Sequence, residues 1–363
     1  MRFIHTADLH LGMEPDKDKP WSKMRGRELW DAFSDIVEKC REDSIDLLLI
    51  AGDLFHKQPL VREVKEVSRM LSSIPNTKVV IIAGNHDYIS GTSGYRGFKW
   101  PDNVYFLMSD KIESVYFEDI DTEVFGLSYH VRNIYEPVYD GIRPTDPART
   151  NILLGHGGEP SNIPIDWKGL ERAGFDYVAM GHLHKPMDIS ENIRYAGSLE
   201  PLDKNETGDH GYIAGEIVKA GFDNRKSFEI GSEKHITRIY SAKRSYIKAD
   251  IEISCEDTYG SLRRKVMALL DENGRDNFYV LRLYGEYDPD ITFDMEGLDD
   301  LGHIASITDE TRPKLDYDRI AAENAGNVIG MFIDRIRDDE ADRDRMIREK
   351  ALYYGVMALS GRL

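Results

Sequence analysis

Five short polar motifs, each directly after an apolar run of strand length, constrain this chain more than any other feature. They are Asp8-Leu9-His10, Gly52-Asp53, Gly84-Asn85-His86-Asp87, Gly155-His156-Gly157 and Gly181-His182-Leu183-His184. The runs before them are Arg2–His5, Asp46–Ala51, Lys78–Ala83, Asn151–Leu154 and Tyr177–Met180, with Glu123–Ser128 a further strand of the same kind. An α/β layered domain brings such motifs together, because loops converge at the carboxyl ends of its strands. Helices are expected over Ser22–Glu42 and Leu60–Ser73, which begin after Pro20 and Pro59. In the first, Leu29, Trp30, Phe33, Ile36, Val37 and Cys40 are spaced for one buried face.

The residue types suit a pair of divalent cations caged by Asp8, His10, Asp53, Asn85, His156, His182 and His184. Carboxylates supply negative charge and can bridge two metals, and imidazoles favour transition metals over Mg²⁺ or Ca²⁺. The DxH and HxH spacings put both side chains of each pair on one side of an extended segment. Two metals about 3.5–4 Å apart can hold a phosphate, generate hydroxide and stabilise a leaving oxygen. Phosphoester hydrolysis is therefore the expected reaction. A lone DxH or GD carries little weight; five motifs in order, each at a strand end, carry a great deal. His5, His130, His210, His235 and His303 lack such spacing. His5 is read as a strand residue or a support for the cage, and His130 as core or surface. The run Tyr95–Trp100 suits base stacking or an ordinary packed loop.

On these residues the chain resembles the calcineurin-like metallophosphoesterase superfamily over its first two hundred residues or so. HTADLHLG at 5–12, GDLFH at 52–56 and AGSLEP at 196–201 are similar to the nuclease subunit of SbcC–SbcD-type DNA repair complexes. ETGDHGY at 206–212 is similar to YhaO-like bacterial exonucleases. The resemblance implies a four-layer α/β/β/α sandwich over residues 1–243. A small α+β capping domain at 244–287 and an acidic linker with C-terminal helices at 288–363 would follow. It also implies that Asp8, His10, Asp53 and His184 hold one metal and Asp53, Asn85, His156 and His182 the other, with Asp53 bridging. His86 would protonate the leaving 3′ oxygen or steady the transition state, a role that an imidazole suits on general grounds. His56 would orient the nucleic-acid end and Asp87 would orient His86. Manganese is the implied metal, although the ligand chemistry also accepts Fe or Zn.

The expected activity is that of a Mn²⁺-dependent DNA exonuclease and endonuclease. Its implied partners are a second copy of the chain and an SbcC-like coiled-coil ATPase gripped by the C-terminal helices. A small-molecule phosphodiesterase or phosphatase, and a scaffold that tethers DNA ends, are the alternatives.

Beyond residue 210 short strands are expected at Tyr212–Val218, Ser227–Ile230 and His235–Tyr240. A βαβ unit follows at Tyr246–Ile253, Tyr259–Leu270 and Phe278–Tyr284, then a linker over Asp288–Lys314. Ile320, Ala321, Val328, Ile329, Phe332, Ile333 and Ile336 form one helical stripe; Ile347, Ala351, Ala358 and Leu359 suggest a second, stopped by Gly361. A net charge of −18 argues against broad affinity for phosphates. Between Glu286 and Lys350, however, 19 acidic and 9 basic residues concentrate much of that charge in the tail. Cys40 and Cys255 have no CxxC spacing, the chain opens without a secretory leader, and its apolar runs are too short to span a bilayer. A reduced, cytoplasmic protein is the expectation.

Overall fold

Strands β1 (Arg2–Thr6), β2 (Leu47–Ala51), β3 (Lys78–Ile82) and β4 (Val104–Phe106) lie side by side and parallel in the computed structural model. It describes residues 1–219, 232–299, 301–337 and 345–361, so the strand expected at Ser227–Ile230 lies outside the described residues. A second sheet contains β5 (Glu113–Phe117), β6 (Thr122–Gly126), β7 (Thr150–His156), β8 (Tyr177–Gly181), β9 (Met187–Asp188) and β10 (Ile193–Tyr195). Its order is β5-β6-β7-β8-β10-β9, with β6, β7, β8 and β10 parallel. The chain then returns to the first sheet as β11 (Gly211–Lys219) and β12 (Ser232–Tyr240), which extend it antiparallel beyond β1.

All five residues of β2 are buried, because both faces of its sheet are covered. On one face Phe3, Leu47, Leu49, Val80 and Ile82 meet Val124, Ile152, Leu154, Tyr177 and Ala179 of the second sheet. On the other, Ile4, Leu48, Ile50, Val79 and Ile81 pack against helices α1 (Ser22–Glu42) and α2 (Val61–Ser72) through Leu29, Phe33, Val64 and Val67. The outer face of the second sheet places Phe125, Leu153, Val178 and Met180 against Leu170 of the short helix α3 (Trp167–Glu171) and against Tyr139 and Phe175. The result is the four-layer α/β/β/α sandwich. Truncating such a buried Leu or Ile to Ala costs about 2–5 kcal/mol. Entry into α2 is fixed locally, where the Leu60 N–H donates to Glu63 Oε2 at 2.8 Å. Tyr95 is fully buried with its ring 4.7 Å from that of Phe106, and Trp100 and Phe98 pack beside it. The aromatic run is a packed loop.

The chain divides into two compact units, Met1–Ile247 with Arg275–Val280, and Lys248–Gly274 with Leu281–Leu363. The second is built on β13 (Tyr246–Ile253), α4 (Tyr259–Asn273) and β14 (Phe278–Tyr287), close to the expected βαβ unit. Thr258 caps α4: its hydroxyl accepts from the Ser261 N–H at 3.3 Å, and its own N–H donates to Ser261 Oγ.

The linker reading of Asp288–Lys314 is corrected. That stretch holds α5 (Met295–Asp299) and β15 (Ile304–Pro313), the third strand of the sheet β13-β14-β15. Leu298 and Ile304 are buried, while Asp309 and Glu310 face out, so a charged edge strand had the composition of a linker. Arg282 of β14 bonds Asp250 on one neighbouring strand and Glu310 on the other.

Three helices follow, α6 (Tyr317–Glu323), α7 (Val328–Arg337) and α8 (Arg345–Leu359). Ile329, Phe332, Ile333 and Ile336 of α7 pack around Leu352 and Val356 of α8. The second stripe is thus offset from the one expected. Ile347 and Leu359 are exposed, and the buried positions of α8 are Leu352 and Val356, one turn apart. Among the described residues no helix is long and apolar enough to cross a membrane.

Candidate metal centre

All seven cage residues emerge at the carboxyl ends of parallel strands. Asp8 and His10 follow β1, Asp53 follows β2, Asn85 follows β3, His156 ends β7, and His182 and His184 follow β8. The backbone is strained there: Asp8, His10, Asp53 and His182 have φ of 51, 44, 49 and 101°. Non-glycine residues seldom adopt this left-handed region, and such strain concentrates at functional sites. Hydrogen bonds between the turns hold it in place, with Asp8 N donating to Gly52 O and His10 N to Asp53 O. Gly52 is required, since its φ is +84° and a Cβ would lie 2.4 Å from His156 Nδ1.

The donor atoms converge. His10 Nε2 is 3.1 Å from His184 Nε2, and Asp8 offers an oxygen within 4.8 Å of both. Asp53 Oδ2 is 3.6 Å from His10 Nε2 and 3.5 Å from His156 Nε2, so it lies between two groups of imidazoles. Asn85 Oδ1 is 3.0 Å from His156 Nε2 and 3.1 Å from His182 Nδ1. Two imidazole nitrogens facing each other can share one proton at most. A buried set of carboxylates, imidazoles and one amide oxygen aimed at a common space therefore fits divalent cations.

The electrostatics show the same crowding. Burial would raise the Asp53 carboxyl, but the His156 and His10 imidazoles outweigh it and hold it well below the usual carboxylate range. Burial opposes protonation of His156 and His184, yet Asp53 raises the first to about 9, and Glu206 with Asp8 raises the second to about 9. Burial, with the neighbouring His156, lowers His182 to about 4, and burial raises Asp8 to about 6.

His86, His56 and Asp87 lie beside the cage in different ways. The His86 N–H donates to Asp53 Oδ1 at 2.9 Å. Its ring Nδ1 is 2.9 Å from the His56 carbonyl, and its ring is stacked 5.3 Å from that of His56. His56 Nδ1 lies 3.2 Å from His10 Nδ1. Asp87 is not placed to orient His86, because its carboxylate is engaged elsewhere. It accepts from Gly84 N at 2.8 Å, Phe55 N at 3.2 Å and Tyr95 Oη at 2.6 Å, tying the second and third motif loops together. His5 is buried, bonds Tyr177 Oη at 2.9 Å and is lowered to about 3, chiefly by burial. His130 bonds the Met108 carbonyl, His210 is buried against Ser198, and His235 is exposed.

Two carboxylates were not foreseen. Glu206 Oε1 lies 2.6 Å from His184 Nδ1, and Glu159 Oε2 lies 3.1 Å from His182 Nε2. Carboxylates on the far nitrogen of ligating imidazoles fix the ring and raise its basicity. Neither has motif spacing, although Glu206 opens the ETGDHGY stretch. Hydroxyls of Tyr129 and Tyr195 also hold the carbonyls of His156 and Gly157.

The calcineurin-like phosphoesterase family description matches residues 1–186. The chain is 25% identical over 289 residues to the metallophosphoesterase YhaO of Bacillus subtilis, covering 73% of this chain and 69% of that protein. It is 28% identical to the DNA double-strand break repair protein Mre11 of Methanopyrus kandleri, covering 73% and 62% of the two chains. The protein of the same name from Archaeoglobus fulgidus is 27% identical, with 78% and 68% covered. The matched region thus spans 62 to 69% of the length of these relatives. Metal-ligating residue types gathered at strand ends of both sheets, and a family match over half the chain, converge on one answer: this chain belongs to the calcineurin-like phosphoesterases and is a metal-dependent phosphodiesterase.

Proposed function

We propose that the protein is a Mn²⁺-dependent DNA nuclease, exonucleolytic and endonucleolytic, acting as the nuclease subunit of an ATPase-linked DNA repair complex. The observation that carries this reading is the His56–His86 pair stacked beside His10 at the edge of the cage. That pair adds proton-donating and end-orienting side chains to a phosphoester site. The names of the two Mre11 relatives point to DNA as the substrate.

Asp8, His10, Asp53 and His184 would hold one cation and Asp53, Asn85, His156 and His182 the other. Bound there, the pair supplies Lewis acidity and an activated water for in-line displacement at phosphorus. The chain's own residues do the rest. The His56 carbonyl accepts a hydrogen bond from the Nδ1–H of His86, so Nε2 is the nitrogen that carries a proton to the leaving 3′ oxygen. His56 orients the nucleic-acid end, and Asp87 keeps the two loops in register. The C-terminal helices expose the apolar side chains Val328, Met331, Ile347, Tyr354 and Leu359, which suit docking to a coiled-coil ATPase. A homodimer would hold two ends together, and the cytoplasm is the compartment proposed.

The test is cleavage of a labelled DNA duplex by purified protein with Mn²⁺, compared with turnover of a cyclic nucleotide and bis-p-nitrophenyl phosphate. Preferred cleavage of DNA, abolished in Asp53→Ala, supports the reading. Turnover of the small esters alone favours a small-molecule phosphodiesterase, and DNA binding without turnover of any substrate favours a scaffold. DNA cleavage unchanged in Asp53→Ala overturns the metal assignment.

A further inference from the structure

We propose that the cavity formed by the turn after the HxH motif is a nucleoside subsite that receives the base and sugar of the nucleotide being released. The inference deepens the nuclease reading and rests on it. The cavity measures about 580 Å³ and is lined by Leu183, Pro186 and Met187, with Lys185 at the side and His182, His184 and Glu159 on the wall toward the cage. That volume lies within the range of ligand sites.

Three observations select a nucleoside as the occupant. The first is continuity with the cage, for the two histidines that line the cavity have their other faces in it. His182 Nδ1 meets Asn85 and His184 Nε2 meets His10. A phosphodiester held by the cage carries a substituent on each side, and this cavity is the adjoining space for one of them.

The second is charge. Glu159, about half exposed, lines the cavity and meets His182 Nε2, the ring nitrogen turned away from Asn85 and the cage. Its carboxylate repels a further phosphate, so the apolar part of a nucleotide enters rather than the next link of backbone. Leu183, Pro186 and Met187 offer a surface for the π-face of a base, which tolerates any sequence.

The third is rigidity. Met187 is fixed by its strand pairing with Tyr195, and Leu183 packs on the core of the second sheet. Pro186 lies against Gly197, where a Cβ would come within 2.7 Å of the ring, and Ser198 N donates to the His184 carbonyl. A platform set before binding loses little freedom on binding.

The experiment compares thymidine 5′-(p-nitrophenyl phosphate) with methyl p-nitrophenyl phosphate on the full Mn²⁺-loaded chain. The two share a leaving group and differ only in the nucleoside. Met187 is partly exposed, so Met187→Ala and Met187→Glu leave the core intact. The ratio of kcat/KM for the nucleoside ester to that for the methyl ester should fall about fivefold in Met187→Ala and further in Met187→Glu, mainly through KM. A ratio unchanged in both variants overturns the subsite. Cleavage of a DNA duplex by the unmodified protein separates the two readings. If DNA is cut and the ratio is unchanged, the subsite alone falls. If DNA is untouched but the ratio depends on Met187, the subsite stands and the nuclease reading falls.

Discussion

Glu206 Oε1 sits 2.6 Å from Nδ1 of His184, and the opposite nitrogen of the same ring lies 3.1 Å from Nε2 of His10. The carboxylate accepts the hydrogen bond from Nδ1–H, which fixes the ring so that Nε2 is the nitrogen turned into the cage. Glu206 is itself fixed, since its second oxygen accepts from Leu202 N at 2.8 Å and Ser198 Oγ at 3.3 Å. Glu206→Ala should therefore weaken Mn²⁺ binding by about 10–100-fold, and Glu206→Gln, whose amide oxygen still accepts, should recover part of it. Calorimetric titration of the metal-free protein measures both. Equal affinity in all three proteins would reduce the pair to simple packing.

His86→Ala should retain two bound metals, because the cage donors are other residues. Its rate on DNA should fall by about 10²–10³, the range of general acid catalysis. A p-nitrophenyl ester departs without a proton and should lose far less. Equal losses on the two substrates would remove the proton-donor role.

Metal uptake should release protons. His156 and His184 are both raised to about 9 by their neighbouring carboxylates, so near neutrality they are protonated, and cations must displace those protons. Affinity should rise as pH increases from about 6.5 toward 9, and the apparent binding enthalpy should vary with the ionisation enthalpy of the buffer. Chelation should lower the melting temperature. At a free metal concentration of 100 Kd the lost stabilisation is about 2.7 kcal/mol. Identical melting with metal and with chelator would contradict the fit of the donor set.

A second pH effect belongs to Glu200, which is buried beside Arg25. Burial pushes its carboxyl up to about 7, despite the Lys243 N–H and the Arg25 guanidinium. The folded state thus holds this proton more tightly than the unfolded chain. The stabilisation is fully present below about pH 4.5 and is lost as pH rises through about 7. Against Glu200→Gln, which cannot titrate, the stability difference should shift by something on the order of 3 kcal/mol across that window. Denaturant midpoints at several pH values measure it, and parallel curves for the two proteins would rule it out.

Much of the first unit was legible because its signals are local. The apolar runs became β1, β2, β3, β6, β7 and β8 within two residues at each end, and α1 matches its expected span. Strands β4 and β10 went unread because three residues carry no usable alternation. Strand β15 was hidden because Thr308, Asp309 and Glu310 are exposed in succession, which breaks the alternation by which a strand is read. Asp87 was misread for a different reason. The resemblance implied a role in orienting His86, whereas the fold brings Tyr95 and Phe55 to its carboxylate.

The cage divides along the same line. Residue chemistry and strand-end position, both readable along the chain, determined which seven side chains stand at the centre. Their partners depended on how two sheets stack, because bonds that link residues far apart in sequence leave no periodic trace. His10 faces His184 across 174 positions of chain, and Asp53 stands between His10 and His156 only because β2 packs against β7. Glu206 reaches His184 from the ETGDHGY stretch, whose spacing gives no sign of that bond. The sequence placed these seven side chains at strand ends, and the tertiary structure decided which face one another and which carboxylates hold them.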